Sequence, residues 1–328
     1  MRITKKAIAE YLGISRTAVS LALNNAPNST LSEETRERIL KTAKELGYKG
    51  MIESNKICYI LYNREGNDPR YLFDLRNIEE AASKRGYNIL FMSVKPDVNS
   101  LKKVKKIANS GEVFAILLTG LIDAEIIYTL DSVDVPYVVY GFSDKKNINI
   151  VIPDAVKEGY EATKYLIKFG HKKIAFLSGK LDMLVHKQRL EGYKLALKEE
   201  GIAFDPALVQ ASANEDSYEM IERMEILNIK YSAILCANTV VQFKAVQCLK
   251  EKGYGFPGEI SVIGCLYTEL VDLCNPPLTA VATNHAKSAD IIIEALADVV
   301  KNKNSAPKTT YLTDIKIITG GTVSTCKE

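Results

Sequence analysis

The 328-residue sequence is poor in the groups that mark metal, redox and membrane proteins. Its three histidines, His171, His186 and His285, lie far apart and share no metal-ligand spacing, so no metal is assigned. The six cysteines (Cys58, Cys236, Cys248, Cys265, Cys274 and Cys326) form no C-x-x-C pair, and most sit inside apolar runs such as AILCAN and SVIGCL. Buried, reduced thiols are therefore expected. No segment approaches the roughly 20 uncharged apolar residues of a membrane span, and the opening MRITKKAIAEYLG holds no signal-peptide core. A cytoplasmic location and no membrane partner are expected. Catalytic signatures are missing too. There is no G-x-S-x-G and no H-E-x-x-H, and SGKLD lacks the earlier glycine and following Ser/Thr of a phosphate loop. These absences point away from an enzyme and imply no cofactor.

What is present is a chain with 47% hydrophobic residues, long enough for two or three compact units. Its net charge of +3 is unevenly placed. Residues 1–50 hold 9 Lys/Arg against 5 Asp/Glu, and the remainder holds 34 against 35, so the whole surplus belongs to the N-terminal segment. A small module that meets phosphates needs such a bias, although a solvated lysine-rich face would give it as well.

From Lys56 onward, β-branched runs (KICYILYN, NILFMSV, VFAILLTG, KIAFLSG, YSAILCAN, ISVIGC) alternate with helical periodicity such as FDLRNIEEAASKRG and SLKKVKKIANSG. Continuous apolar strands separated by amphipathic helices predict parallel sheets covered on both faces. The stretch is too long for one ordinary doubly wound sheet, so two α/β lobes are expected. Helices from about Tyr71, Met183 and Val240 should stop at Gly86, Gly201 and Gly253, each suited to a left-handed C-cap. Two such lobes leave a cleft at the carboxyl ends of their strands, where ligands bind.

In AEYLGISRTAVSLALNN, a first helix runs from Lys5 to Leu12, Gly13 turns the chain, and Ser15 caps a second helix through Leu23. Val19 and Leu23, with Ala18 and Ala22, should pack inward and leave Arg16, Thr17, Ser20 and Leu21 outside. Ser32 caps a third helix, where Glu33 and Glu34 complement the dipole and Ile39, Leu40, Ala43 and Leu46 form the stripe before Gly47. Three short helices with a glycine turn between the first two suit a helix-turn-helix, its second helix lying in the major groove. A generic three-helix bundle would share these features.

AEYLGISRTAVSLALNN...LSEETRERILKTAKELGY resembles the DNA-binding headpiece of the LacI/GalR family of bacterial transcriptional repressors. The similarity extends through IEEAASKRGYNIL, ATKYLIKFGHKKIAFLSG, RLEGYKLAL, ISVIG and PPLTAV, which resemble that family's periplasmic-binding-protein-like core. The implied fold is α/β, with a three-helix helix-turn-helix headpiece (1–50), a short linker (51–55) and a two-lobed core (56–328). Lobe 1 would take approximately 56–152 and 284–310, and lobe 2 approximately 153–283 and 311–328. The resemblance implies a homodimer that reads a roughly palindromic double-stranded DNA operator, with a small effector in the interlobe cleft shifting a two-state equilibrium. The family's effectors are mostly sugars or sugar phosphates, less often purines or nucleosides. A small-molecule sensor without sequence-specific DNA activity is the alternative.

The resemblance places Arg16 and Thr17 where the family reads bases and Ser15 and Ser20 on phosphates, with Thr4, Leu21 and Asn24 completing the DNA-facing set. The family usually has Arg where this chain has Leu21. An Arg bidentate to guanine contributes about 1–3 kcal/mol of discrimination, whereas Leu offers only apolar contact, so the operator should differ from the usual one. The loop NNAPNSTLSEE is about two residues longer than is typical. GYKGMIESNKICYI contains no proline, and only Lys49 to Asn55 separate Tyr48 from the first strand, too few for the family's hinge helix. Either the minor-groove wedge is lost, or Met51 and Ile52 supply a cruder one, or the segment is a plain tether.

For the effector, the resemblance assigns Arg70 and Tyr71 (DPRYLF), Asp154, Arg189 (KQRLEGY) and Asn238 (CANTVV), with Thr239 in place of the family's following Asp. Leu266 stands where the family has an acceptor Asp, and Thr283 where many relatives have Gln. A buried sugar hydroxyl left unpaired costs about 1–3 kcal/mol, so the pocket is short of acceptors for an ordinary hexose. Three readings stay open: a smaller or more apolar ligand, an anion held by Arg189 and Arg70, or no small effector. A structural ion-pair role for Arg189 is the lesser alternative.

Overall fold

The computed structural model describes residues 3–23, 31–48, 54–302 and 305–327. The N-terminal helices are α1 (Lys5–Leu12), α2 (Arg16–Leu23) and α3 (Glu33–Glu45). Each begins on a hydroxyl: Thr4 Oγ1 accepts from Ala7 N at 3.2 Å, Ser15 Oγ from Ala18 N at 3.1 Å and Ser32 Oγ from Thr35 N at 3.2 Å. α1 ends at Gly13, whose φ of 66° is the left-handed conformation that makes the tight turn. Ile8, Ala9, Val19, Ala22, Leu23, Ile39 and Ala43 close a small core, flanked by Leu12, Ile14, Leu40, Leu46 and Tyr48. Ala18, expected in this core, is only half-buried.

The chain then runs β1 (Lys56–Tyr62), α4 (Pro69–Ser83), β2 (Asn88–Val94), α5 (Val98–Asn109), β3 (Ala115–Gly120), α6 (Ala124–Asp131), β4 (Tyr137–Tyr140) and β5 (Ile150–Pro153). It continues through α7 (Ala155–Lys168), β6 (Ile174–Ser178), α8 (Leu184–Glu199), β7 (Val209–Ala211), α9 (Ser217–Ile226), β8 (Ala233–Cys236), α10 (Thr239–Glu251) and β9 (Ser261–Cys265). The last elements are α11 (Leu270–Leu273), β10 (Thr279–Thr283), α12 (His285–Lys301), β11 (Thr309–Leu312) and β12 (Ile315–Ile318). Gly86, Gly201 and Gly253 all have positive φ just beyond α4, α8 and α10, where the sequence placed the stops.

The strands form two six-stranded sheets, ordered β11-β5-β4-β3-β1-β2 and β12-β10-β9-β8-β6-β7. In the second, β6 through β10 pair parallel, as the sequence predicts, and the edge strand β12 runs antiparallel to β10. β12 reaches this edge after α12 and β11, the latter a strand of the other sheet. The chain divides into two compact units: Met1–Arg64 with Ala82–Val139 and Ile293–Ala306, and Glu65–Ala81 with Tyr140–Ile292 and Pro307–Glu328.

Within the second unit the two-residue strand period sends apolar side chains to both faces. Ala175, Leu177, Ile234, Cys236 and Val262 meet Met220, Ile221, Val241 and Leu249 of α9 and α10. Their neighbours Ile174, Phe176, Ala233, Leu235 and Ile263 meet Ala162, Leu166, Tyr193 and Leu197 of α7 and α8. These two helices touch backbone to backbone. A Cβ on Gly192 would lie 1.9 Å from Val156 O, and one on Gly159 would lie 2.1 Å from Arg189 O. Burial pushes the thiols of Cys58 and Cys265 up to about 12, and all six cysteines are free.

Candidate functional site

On the headpiece, Arg16 and Thr17 are exposed in the first turn of α2, directly after the Ser15 cap. Thr4 and Ser15 are exposed, and their side-chain oxygens cap α1 and α2. Ser20 and Leu21 are half-buried rather than fully outward, and Ser20 Oγ accepts from Lys5 Nζ at 3.2 Å. Asn24, Met51 and Ile52 lie outside the described residues. Ser54 and Asn55 are tied to the body of their unit: Ser54 Oγ donates to Glu112 O, and Asn55 Nδ2 donates to Gly86 O at 3.1 Å.

The second candidate site lies wholly within the second unit, where helix starts gather at the carboxyl ends of strands. Asp68 precedes Pro69 at the start of α4, and its Oδ1 accepts from Arg70 N at 3.0 Å. The same carboxylate grips the Arg70 guanidinium, with Nε to Oδ1 at 2.9 Å and Nη2 to Oδ2 at 2.7 Å. Arg70 Nη1 then donates to both oxygens of Glu215 at 3.1 Å. Asn238 caps α10 through Oδ1, which accepts from Val241 N at 3.0 Å, and turns its Nδ2 to Glu215 Oε1 at 2.9 Å. Burial alone would lower the Arg70 pKa, but the hydrogen bonds to Asp68 and the nearby charge of Glu215 raise it.

Beside this cluster, His186 Nδ1 lies 2.9 Å from Lys180 O. A carbonyl can only accept, so Nδ1 carries the proton and the neutral ring leaves Nε2 bare, 3.9 Å from Glu215 Oε1. Burial lowers the pKa of His186. Tyr71 is half-buried in the same first turn of α4 as Arg70. Further along α4, Phe73 meets His285 edge-on at 4.7 Å and Tyr267 at 5.2 Å. Asp74 accepts from Tyr140 Oη at 3.1 Å and lies 3.4 Å from His285 Nδ1.

Arg189 stands apart from this arrangement. It is buried, with Nε and Nη2 on Glu158 Oε2 at 2.8 and 2.6 Å and Nη1 on Ala237 O at 2.6 Å. Glu158 is buried too, so this is an internal ion pair between α7 and α8. Both guanidinia named in the anion reading already meet a carboxylate, Arg189 that of Glu158 and Arg70 those of Asp68 and Glu215. Asp154 caps α7, accepting from Lys157 N at 3.0 Å. Thr239 and Leu266, two of the departures from the family pattern, are joined, since Thr239 Oγ1 donates to Leu266 O at 2.6 Å. Leu266 has a left-handed φ of 71°. Thr283 is buried at the end of β10, paired with Ile315 of β12.

Glu158 and Glu215, the partners of the two arginines, were not singled out in the sequence, nor were Asp68, Phe73, Asp74 and Tyr267. Asp68-Pro69 carries a helix-start signal that identifies the first of them. The others meet their partners only through the tertiary fold. Among the described residues, no group of three or more His, Cys, Asp or Glu is placed to hold a metal, and no helix is long and apolar enough to cross a membrane.

Residues 4–50 match the model for "Bacterial regulatory proteins, lacI family", and residues 163–323 match that for the "Periplasmic binding protein-like domain". By these two matches the chain is similar to the LacI/GalR family of transcriptional regulators. It is 27% identical to the HTH-type transcriptional repressor PurR of Haemophilus influenzae (strain ATCC 51907 / DSM 11121 / KW20 / Rd) over 318 residues, covering 92% of each chain. To the ribose operon repressor of the same strain it is 26% identical, over 94% of this chain and 95% of the relative. The solved transcriptional regulator CelR–cellobiose complex superposes with a TM-score of 0.73 at 23% identity, over 98% of this chain and 100% of that one. The shared fold is an N-terminal set of helix-turn-helix-like helices followed by a two-lobed, periplasmic-binding-protein-like α/β core.

Proposed function

We propose that this regulator is a repressor that binds a near-palindromic double-stranded DNA operator as a homodimer. Residues 1–50 would read the DNA, 51–55 link, and 56–328 bind effector and form the dimer. The observation that carries the reading is the exposed start of α2, where Arg16 and Thr17 follow a Ser15 cap on the small core of the three N-terminal helices. A helix presented by its N-terminal turn brings those side chains to base edges in the major groove. Thr4, Ser15, Ser20 and Asn24 would meet the backbone, and Leu21 a thymine methyl. Two relatives named as repressors support the direction of control.

In the same proposal a small effector binds among Arg70, Tyr71 and Asn238, with Asp154, Leu266 and Thr283 close to the strand ends, and shifts the balance between DNA-competent and incompetent forms. The cellobiose held by one structural neighbour supports a ligand-binding role for a core of this fold. No catalytic step is assigned to it.

The test is selection of bound duplexes from a random DNA pool by the purified protein at near-physiological salt. A two-fold symmetric enriched motif is the expected result. Binding that is only salt-sensitive, with no enriched motif, would overturn the operator-reading role and favour a sensor without sequence-specific DNA activity.

A further inference from the structure

Glu215 occupies the place in its unit where a ligand anion would be expected. Its carboxylate takes both hydrogen bonds that Arg70 Nη1 offers and the amide of Asn238, which are the two polar groups best suited to orient a small molecule there. Its backbone is held at a φ of 53°, a conformation that non-glycine side chains avoid, and Lys244 Nζ donates to its carbonyl at 3.0 Å. Gly179 faces it from the end of β6, and a Cβ there would lie 3.2 Å from Glu215 Cγ and 2.5 Å from His186 Cε1. The carboxylate is thus seated from three sides.

We infer that Glu215 is a built-in occupant of the Arg70–Asn238 anion position, so that the site rejects phosphate and carboxylate ligands and takes a neutral or cationic small molecule that brings hydrogen-bond donors to Glu215 and Asp68. This rests on the reading that the site is the effector pocket. Two carboxylates already share the one guanidinium there, so an added anion would have to compete with both for its hydrogen bonds. A hydroxyl or ammonium group meets acceptors instead. Glu215 Oε2 accepts only from Arg70 among the described residues, which leaves it a lone pair for an incoming donor. The shortage of acceptors expected from Leu266 is made up by side chains that lie elsewhere in the sequence.

The experiment is isothermal titration calorimetry of the full-length chain with inorganic phosphate, propionate and ribose 5-phosphate, at an ionic strength fixed with chloride. The wild type should show no saturable binding of any of them. Glu215→Gly, which suits the left-handed backbone, vacates the position and should bind propionate at least about tenfold more tightly than the wild type, as a charge-assisted contact implies. Glu215→Ala carries the same expectation as a second variant, and Arg70→Ala added to either should abolish the gain. Circular dichroism verifies that each variant is folded. Saturable binding of phosphate or ribose 5-phosphate by the wild type that Arg70→Ala removes would overturn the inference. So would folded Glu215→Gly and Glu215→Ala proteins that bind propionate no better than the wild type. No DNA enters these titrations, so failure to find an operator is a separate result from failure of this inference.

Discussion

The headpiece and the pocket treat their arginines in opposite ways. Arg16 stands exposed on α2 and makes no ion pair among the described residues, whereas Arg70 and Arg189 are folded into carboxylate partnerships of their own chain. In the proposed function a polyanion would supply the partner for the first, whereas the molecule itself supplies it for the others. An arginine at a family ligand position is therefore no measure of ligand charge until its internal partners are known.

The sharpest way to break this contrast is at Arg189. Glu158→Ala strands a buried guanidinium, and loss of one partner of a buried pair costs about 3–5 kcal/mol. Urea unfolding should show that loss, and a change below about 1 kcal/mol would mean that Arg189 has other partners and is not structural. Arg16→Ala should do the reverse, leaving unfolding within about 0.5 kcal/mol of the wild type while costing about 1–3 kcal/mol of binding to the selected operator. If all duplexes lose affinity equally, Arg16 contacts phosphate only.

The smallest effect is on pH dependence. Burial lowers the pKa of His171 and His186 from their ordinary value of 6.5, so the folded state holds them neutral. Ser232, Ser261 and the Ser324 carbonyl face His171, and the Lys180 carbonyl, Glu215, Arg70 and Arg189 face His186. Their contribution is fully present above pH 6.5 and is lost as pH falls through the lowered folded values. Chemical denaturation across that range should show stability declining on the acid side. A flat profile would mean that neither ring is withheld from protons.

Much of this architecture is legible in the sequence, because local chemistry decides it. Ser15, Gly13 and Ser32 punctuate the headpiece where turn and cap rules place them, and Gly86, Gly201 and Gly253 close their helices for the same reason. The antiparallel return of β12 is not legible, since IKII reads equally as a parallel strand. The pocket is harder still. Glu215 lies 145 residues from Arg70, and no periodicity links a carboxylate to a guanidinium across that separation. Side chains that pair through the fold leave no local trace, while caps do.

The anchoring of Ser54 and Asn55 limits what the headpiece can reach. At about 3.3–3.6 Å for each residue, the six steps from Tyr48 to Ser54 extend no more than about 22 Å. In the proposed dimer, two such leashes start from fixed posts, and inserting a base pair between half-sites moves one of them by about 3.4 Å along the duplex while rotating it around the axis. On the proposed function, operator spacing would become part of the message. A headpiece on a longer arm would follow that displacement, but one with a reach this short would register it as a wrong address.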